Sequence, residues 1–174
     1  MRIIPISDGA EPSLAPDILW NGLMGDFALA DEGEPGNRLG LRAKATLETA
    51  VLICLQTDAR ADPAELRTGD VNRGWHGDTY DIDTAAGERA IGSKLWLLRR
   101  RALDSVDVPR LAESYALEAL QTLIDQGAAA AASAAATAYP ARNRLDLEIT
   151  LTDRAGDVIV APKFAILWGV PNGL

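Results

Sequence analysis

The segment "RLDLEITLTDRAGDVIVAPKFAILW" (144–168) has the most informative pattern for the fold of this chain. Residues 144–153 alternate between polar and apolar side chains, which is typical of a strand with one buried face. The apolar positions are Leu145, Leu147, Ile149 and Leu151. "RAGDV" (154–158) then predicts a hairpin turn, and "VIVAPKFAILW" (158–168) predicts the returning strand. The chain therefore carries a C-terminal β-hairpin.

The clearest helix of the chain lies upstream, in "DVPRLAESYALEALQTLIDQG" (107–127). Asp107 is placed to cap it, Pro109 suits its first turn, and Gly127 is placed to end it. Apolar residues recur at helical spacing and predict the buried stripe, which consists of Leu111, Tyr115, Ala119, Leu123 and Ile124.

Two further segments predict helices. "TLETAVLICLQT" (46–57) has a plausible cap in Thr46 and apolar residues at helical spacing. A strand is the competing interpretation there, because residues 50–55 are apolar on every side. "AIGSKLWLLRRR" (90–101) predicts a short helix. The fold class is therefore α+β, with an antiparallel sheet that includes the C-terminal hairpin and packs against two or three helices.

The alanine run "AAAAASAAATAY" (128–139) is ambiguous from its residues alone. Alanine has the highest intrinsic helix propensity. Gly127, however, ends the preceding helix, and Tyr139 with Pro140 begins a turn-like segment. Helix and strand both stay open at this point.

The N-terminal part contains fewer regular elements. Residues 1–16 are rich in Pro and predict an extended arm, whereas residues 17–174 predict a single domain. "DILWNGLMGDFALA" (17–30) predicts two short strands joined by a turn, because Gly22 and Gly25 separate its apolar residues. Residues 31–40 predict a loop.

The composition argues against several classes of protein. The chain has 174 residues, of which 48% are apolar, a net charge of −8 and a pI of about 4.6. An acidic surface repels phosphate, so we expect no nucleic-acid binding. Cys54 lies within an apolar run and is predicted to be buried without a disulfide. The first residues lack a long apolar run, so we expect neither a signal peptide nor a membrane span.

The hexapeptide "RGWHGD" (73–78) holds the one histidine of the chain. His76 could act as a general base oriented by Asp78, which would make the protein a small hydrolase or ligand-binding domain. No G-x-S-x-G motif and no second histidine supports this chemistry. The favoured interpretation is a turn in which Trp75 packs on the core while Arg73 and Asp78 bond to the backbone.

The acidic segment "DTYDIDTAAGE" (78–88) could suggest a calcium loop. Gly87 and Glu88 fall at the wrong offsets for an EF-hand, so a solvated acidic loop is the better interpretation. We therefore expect no metal site and no cofactor.

The long segment 58–90 lacks a sustained period and is rich in Gly, Asp and Arg, which is typical of a contact surface. The basic cluster "LRRR" (98–101) could meet an acidic partner or pair with carboxylates of the same chain. The tryptophans are too widely spread for a nucleic-acid stacking platform and predict core anchors, at Trp20, Trp75, Trp96 and Trp168.

Several segments together resemble the Mu-like prophage baseplate protein family. They occur in the family's order and cover roughly residues 47–168: "LETAVLICLQTDARA" (47–61), "RGWHGD" (73–78), "IGSKLWLLRR" (91–100), "YALEALQTLIDQG" (115–127) and "LDLEITLTDRAG" with "FAILW". The family pattern usually has a second tryptophan where His76 stands. This departure argues against a catalytic histidine.

The resemblance implies a baseplate wedge subunit of a contractile tail, similar to the small wedge component of T-even phages and type VI secretion machines. It also implies a sheet edge from which the sheath begins to polymerise. The glutamate-proline-arginine signature of that wider group is absent after the first helix, and only Thr57 and Arg60 occupy comparable places. In relatives the segment after the long helix is strand-like, so residues 129–138 are predicted to form a strand.

On this hypothesis the protein is not an enzyme but an assembly component. The predicted partner-binding residues are Arg60, Arg73, Trp75, Asp78, Arg99 and Arg100. The expected partners are larger wedge proteins, the tail sheath and the tube, with no nucleic acid and no membrane. We expect a monomer alone and several copies in the baseplate, located in the host cytoplasm during assembly and then in the virion tail. The alternatives are the His76–Asp78 hydrolase and a tail chaperone absent from the particle.

Overall fold

The computed structural model describes residues 2–5, 18–20, 25–27, 46–75, 82–86, 89–103 and 105–168. The chain divides into two compact units, residues 7–52 and residues 1–6 with 53–174, and each is described by itself. The strands are β1 (Arg2–Pro5), β2 (Ile18–Trp20), β3 (Gly25–Phe27), β4 (Ala131–Tyr139), β5 (Arg144–Thr152), β6 (Val158–Val160) and β7 (Lys163–Leu167). The α-helices are α1 (Thr46–Gln56) and α2 (Asp107–Asp125).

The unit formed by residues 7–52 contains an antiparallel pair of β2 and β3, in which Ile18 lies opposite Phe27. The prediction of two short strands within residues 17–30 is confirmed. The helix predicted for residues 46–57 is confirmed by α1. The boundary between the two units falls inside this helix. Cys54 on this helix is buried, as predicted.

The larger unit is built on an antiparallel sheet in which the strand order is β1-β7-β5-β4, with β6 also paired to β5. Residues 2–5 of the predicted arm form β1, in which Arg2 lies opposite Leu167 and Pro5 opposite Phe164. The division into an arm of residues 1–16 and one domain of residues 17–174 stays a proposal. The α+β class with a C-terminal antiparallel sheet is confirmed.

The alanine run forms β4, which pairs with β5 along all nine of its residues. The strand predicted for residues 129–138 is confirmed. Gly127 has a φ of +75°, a left-handed conformation that ends α2 and turns the chain back. Pairing with β5 then outweighs the helix propensity of alanine. Asn143, with a φ of 47°, closes the turn into β5.

The returning strand is interrupted. Residues 158–168 form two strands, β6 and β7, separated by Ala161 and Pro162. The carbonyl of Pro162 still accepts the Ile149 N–H at 3.0 Å, whereas a proline has no N–H to return. The preceding turn is held by Oδ1 of Asp153, which accepts the N–H groups of Ala155 and Asp157.

Helix α2 covers the sheet face on which the apolar residues of β5 lie. All four of those β5 side chains are at most 1% exposed: Leu145, Leu147, Ile149 and Leu151. The buried residues of α2 are Val108, Ala112, Tyr115, Ala116, Ala119, Leu120, Thr122 and Leu123. The predicted stripe is correct at Tyr115, Ala119 and Leu123, but Leu111 and Ile124 are only half-buried. The predicted Asp107 cap is wrong, because Val106 holds the cap position and Asp107 begins the helix.

The segment predicted as a short helix over residues 90–101 is a 3₁₀ helix, Leu95–Arg100. Its residues Leu95, Trp96, Leu97 and Leu98 are all buried. The 3₁₀ form is tighter than an α-helix and is common in short segments such as this one. Among the described helices none is long and apolar enough to cross a membrane.

Candidate partner-binding surface

The chain after α1 folds into a frame, here defined as residues 57–75 packed on residues 91–97. Asp58 and Ser93 form a parallel bridge, in which Ser93 N–H donates to the Thr57 carbonyl at 2.8 Å and Ala59 N–H to the Ser93 carbonyl at 3.0 Å. A Cβ at Gly92, whose φ is +130°, would lie 2.9 Å from the Thr57 carbonyl oxygen. Only glycine therefore permits this close approach.

Side chains close the frame further. Nε1 of Trp96 donates to the Ala59 carbonyl at 2.8 Å. The amide side chain of Asn72 bonds to both backbone groups of Ala61, at 3.0 and 2.9 Å. Asp62 and Glu65 form a reciprocal capping box around the short 3₁₀ helix Pro63–Glu65. A loop without a regular period is thus held in a defined conformation.

Lys94 joins the frame to α2. Its Nζ lies 3.1 Å from Oε1 of Glu65 and 2.9 Å from Oε2 of Glu118, and 5.5 Å from the ring centroid of Tyr115. Burial by itself would lower the pKa of Lys94, but the hydrogen bonds to Glu118 and Glu65 outweigh it and raise that pKa. Burial, followed by the charge of Glu65, raises the pKa of Tyr115.

A cavity of about 180 Å³ opens on the frame. Its lining comprises Gly69, Asp70, Val71, Arg73, Trp96, Leu97 and Arg99. Arg73 donates from Nη1 to Oδ2 of Asp58 at 2.8 Å and lies 5.8 Å from the ring centroid of Trp96. Two of the predicted partner-binding residues, Arg73 and Arg99, therefore lie at one cavity.

The other predicted binding residues have different positions. Trp75 is 47% exposed, so the prediction that it packs on the core is wrong. Its backbone N–H donates to the backbone carbonyl of Asp58 at 3.1 Å, which places the Trp75 side chain at the rim of the frame. Arg73 was expected to bond to backbone, but it pairs with the Asp58 carboxylate instead. Arg60 is exposed, and its side chain passes close to Gly74: a Cβ added at Gly74 would clash with Cγ of Arg60.

His76, Asp78 and the side chain of Arg100 lie outside the described residues. Among the described residues no group of three or more His, Cys, Asp or Glu side chains could hold a metal ion. Burial raises the pKa of the Cys54 thiol to about 11, so it is protonated at neutral pH.

Two members of the basic cluster, Arg99 and Arg101, form no ion pair within the described part of the chain. Arg99 is exposed. Nε of Arg101 is buried and has no hydrogen-bond partner among the described residues, while its carbonyl accepts Nε1 of Trp168 at 3.0 Å. Of the two hypotheses for "LRRR", pairing with the chain's own carboxylates finds no support at these two residues.

The outer edge of β4 forms a second exposed feature. The Ala136 N–H donates to Oε1 of Glu113 on α2 at 2.8 Å and so points away from β5. Backbone groups alternate in direction along a strand, so Ala132, Ala134 and Ala138 direct theirs the same way. No described strand pairs with this edge. Sequence patterns gave no signal for Glu113, because its role depends on a strand 23 residues away.

Comparison with known proteins gives consistent matches. A sequence model of the family described as phage protein GP46 matches residues 47–158. Baseplate protein gp46 of Escherichia phage Mu is 37% identical over 144 residues, which cover 82% of this chain and 89% of that protein. Mu-like prophage FluMu protein gp46 of Haemophilus influenzae is 33% identical over 112 residues, covering 64% and 67% of the two chains. No solved structure matches.

Proposed function

This chain belongs to the phage protein GP46 family, and we propose that it is a wedge subunit in the baseplate of a contractile phage or prophage tail. It is a structural baseplate protein that interacts with other baseplate components. We further propose that it occupies the wedge position, that larger wedge proteins are its partners, and that it contacts the sheath and the tube. The subunit is monomeric alone in the host cytoplasm and enters the tail baseplate in several copies.

The observation that carries this proposal is the cavity beside the frame. Arg73 and Arg99 line it, and Val71 at its rim is 80% exposed. Charged donors next to exposed apolar surface are typical of protein interfaces, where arginine is enriched. The frame is held by backbone bonds, so binding a partner orders few residues and loses little conformational entropy. We propose that this cavity binds a larger wedge protein.

The exposed rim of the frame extends the proposed contact. Trp75 is half-exposed and Arg60 is exposed nearby. A tryptophan at such a position is the residue type that contributes most to binding when a partner covers it. Initiation of the sheath is assigned to the outer edge of β4, where unpaired backbone groups can accept an added strand.

The test is co-purification with the larger wedge protein encoded by the same phage. Arg99→Glu reverses an exposed charge at the cavity without removing a contact of the frame. We expect it to weaken the complex roughly tenfold or more, the effect of about 1.4 kcal/mol. Arg154→Glu makes the same charge change in the turn before β6 and should leave binding unaltered. Equal affinities of both variants and the wild type, measured by calorimetry, would refute the cavity as the wedge contact.

A further inference from the structure

We propose that Glu113 guards the outer edge of β4, and that this edge accepts an extended partner segment whose Lys or Arg binds the Glu113 carboxylate. The assignment of that segment to the sheath rests on the proposed function. The hydrogen bond from the Ala136 N–H to Glu113, here called the guard, is a property of the isolated chain. Two observations support the proposal: the hydrogen bond from Ala136 to Glu113, and the negative charge that Glu113 places beside a strand without charged residues.

The bond lies in the middle of an edge with which no strand of the described residues pairs. Ala136 donates its N–H to Oε1 of Glu113 at 2.8 Å, and a carboxylate is a stronger acceptor than a carbonyl. Ala134 and Ala138, the neighbours whose backbone groups point the same way, flank it. An added strand pairs with consecutive outward groups, so it must replace Glu113 at Ala136 before it can extend along β4.

Displacement leaves a carboxylate that needs a new partner. Glu113 is half-buried against the sheet and forms no ion pair within the described part of the chain. A half-buried carboxylate without a partner is unfavourable, whereas an ammonium or guanidinium group restores a charged hydrogen bond. A segment that brings a cation to the α2 side of the edge is therefore favoured.

The charge of Glu113 also disfavours pairing with a second copy of this chain. β4 has the sequence "AASAAATAY" and contains no Lys or Arg. Pairing of two β4 edges would bring two Glu113 carboxylates into one interface, and neither β4 strand would supply a cation. Like charges brought together are repelled, which is a common way for natural edges to avoid self-association. Basic segments are thus selected over the chain itself.

An apolar residue beside the guard adds a second requirement. Leu117 follows Glu113 by one helical turn, so it lies on the same side of α2, and it is 36% exposed. A strand added along β4 would pass this side chain. The segment that fits best therefore carries its basic residue and an apolar residue on the face directed toward α2.

Two synthetic peptides provide the probe. Both alternate Val and Thr and carry N-methyl groups on one edge to block their own association; one has a central Lys and the other a central Glu. We expect the wild-type chain to bind the Lys peptide more tightly by roughly fivefold, the value of a partly exposed ion pair of about 1 kcal/mol. The Ala136 amide should also shift in the NMR spectrum. Equal binding, or binding that leaves the Ala136 amide unchanged, would overturn the proposal.

Variants at position 113 distinguish the hydrogen-bond acceptor of Glu113 from its negative charge. Glu113→Gln keeps an acceptor oxygen but removes the charge, and it should lose the preference for the Lys peptide. Glu113→Ala also removes the acceptor and should self-associate in sedimentation velocity. Adding Ala134→Pro, which removes one outward N–H without touching the β4–β5 pairing, should restore the monomer. Glu148→Ala is the matched control, since it removes an exposed carboxylate from the other face of the sheet.

The outcomes are distinct from those of the wedge test. A Glu113→Ala variant that stays monomeric, with unchanged exchange at the Ala136 amide, would overturn the guard but leave the Arg99 result intact. Circular dichroism checks that each variant is folded, and Glu113→Gln keeps the experiment decisive if the alanine variant is not. Loss of wedge binding in Arg99→Glu says nothing about the edge.

Discussion

The neighbouring strands β4 and β5 have equal length and pair along their whole extent, yet they form for different reasons. β5 alternates four large apolar residues with polar ones, and all four are buried. β4 is mostly alanine, and its residues alternate only between half-buried and exposed. The pattern of β5 predicts a strand without reference to any other segment. β4 becomes a strand because Gly127 ends α2 and because β5 and α2 lie beside it.

The two strands therefore contribute differently to the stability of the sheet. Removing large buried side chains from β5 leaves cavities, while alanines in β4 contribute little buried area of their own. β4 accordingly depends on its neighbours for its position. The strand with the weaker intrinsic preference is also the one that offers an unpaired edge.

The largest effect is expected from Leu147→Ala at the centre of β5. Leu147 is 0% exposed, and truncation of a buried leucine costs about 2–5 kcal/mol. Urea unfolding measures the change in the free energy of unfolding. Thr150→Ala on the opposite face of the same strand is the control and should cost less than about 1 kcal/mol. Similar losses in the two variants would contradict the assignment of the core to one face of β5.

Lys94→Met removes the ion pair between the frame and α2, and we expect it to affect β4 more than β5 because β4 packs against α2. We expect the free energy of unfolding to fall by about 1–3 kcal/mol, because two charged hydrogen bonds disappear. Exposure of the Glu65 and Glu118 carboxylates to water limits the loss. Hydrogen exchange should quicken in β4 before β5. Lys163→Met, which breaks an exposed pair with Glu148, is the control. Uniform quickening in both strands would contradict the dependence of β4 on α2.

Alkaline pH tests the same contact without a substitution. The folded pKa values of Lys94 and Tyr115 are raised above 10.5 and 10.0. A raised folded pKa contributes stability below the unfolded value and loses it as the pH passes the folded value. The free energy of unfolding should therefore decline from about pH 9, where the raised pKa of the buried Cys54 thiol begins to act, and above about pH 10 the decline should be less steep in Lys94→Met. Parallel declines in both proteins would show that Lys94 does not contribute.

The smallest effect is expected from strengthening β4 itself. Ala135 is exposed and lies opposite Glu148, so Ala135→Val raises strand propensity without entering the core. We expect a gain of up to about 1 kcal/mol in thermal or urea unfolding. Ala128→Val, at an exposed position before the strand, should give no such gain. A loss in Ala135→Val would mean that packing, and not propensity, limits this strand.

The binding surface was predicted less completely than the fold. Arg73 and Arg99 were identified from composition and charge, and the structure brings them to one cavity. Val71 and Trp96 also line it, although neither was expected there, because their positions depend on the bridge between Asp58 and Ser93. Trp75 was placed in the core on the general tendency of tryptophan, whereas the Gly74 turn directs it to the rim.

The amino-acid sequence was sufficient to predict the elements that carry their own pattern: α1, α2, the two short strands β2 and β3, and β5. Periodic burial and local turn residues specify such elements without knowledge of their neighbours. Three features became apparent only from the folded chain: the break between β6 and β7, the 3₁₀ form of residues 95–100, and the hydrogen bond from Ala136 to Glu113. The last joins groups 23 residues apart, and long-range hydrogen bonds leave no periodic signature in the residues that form them.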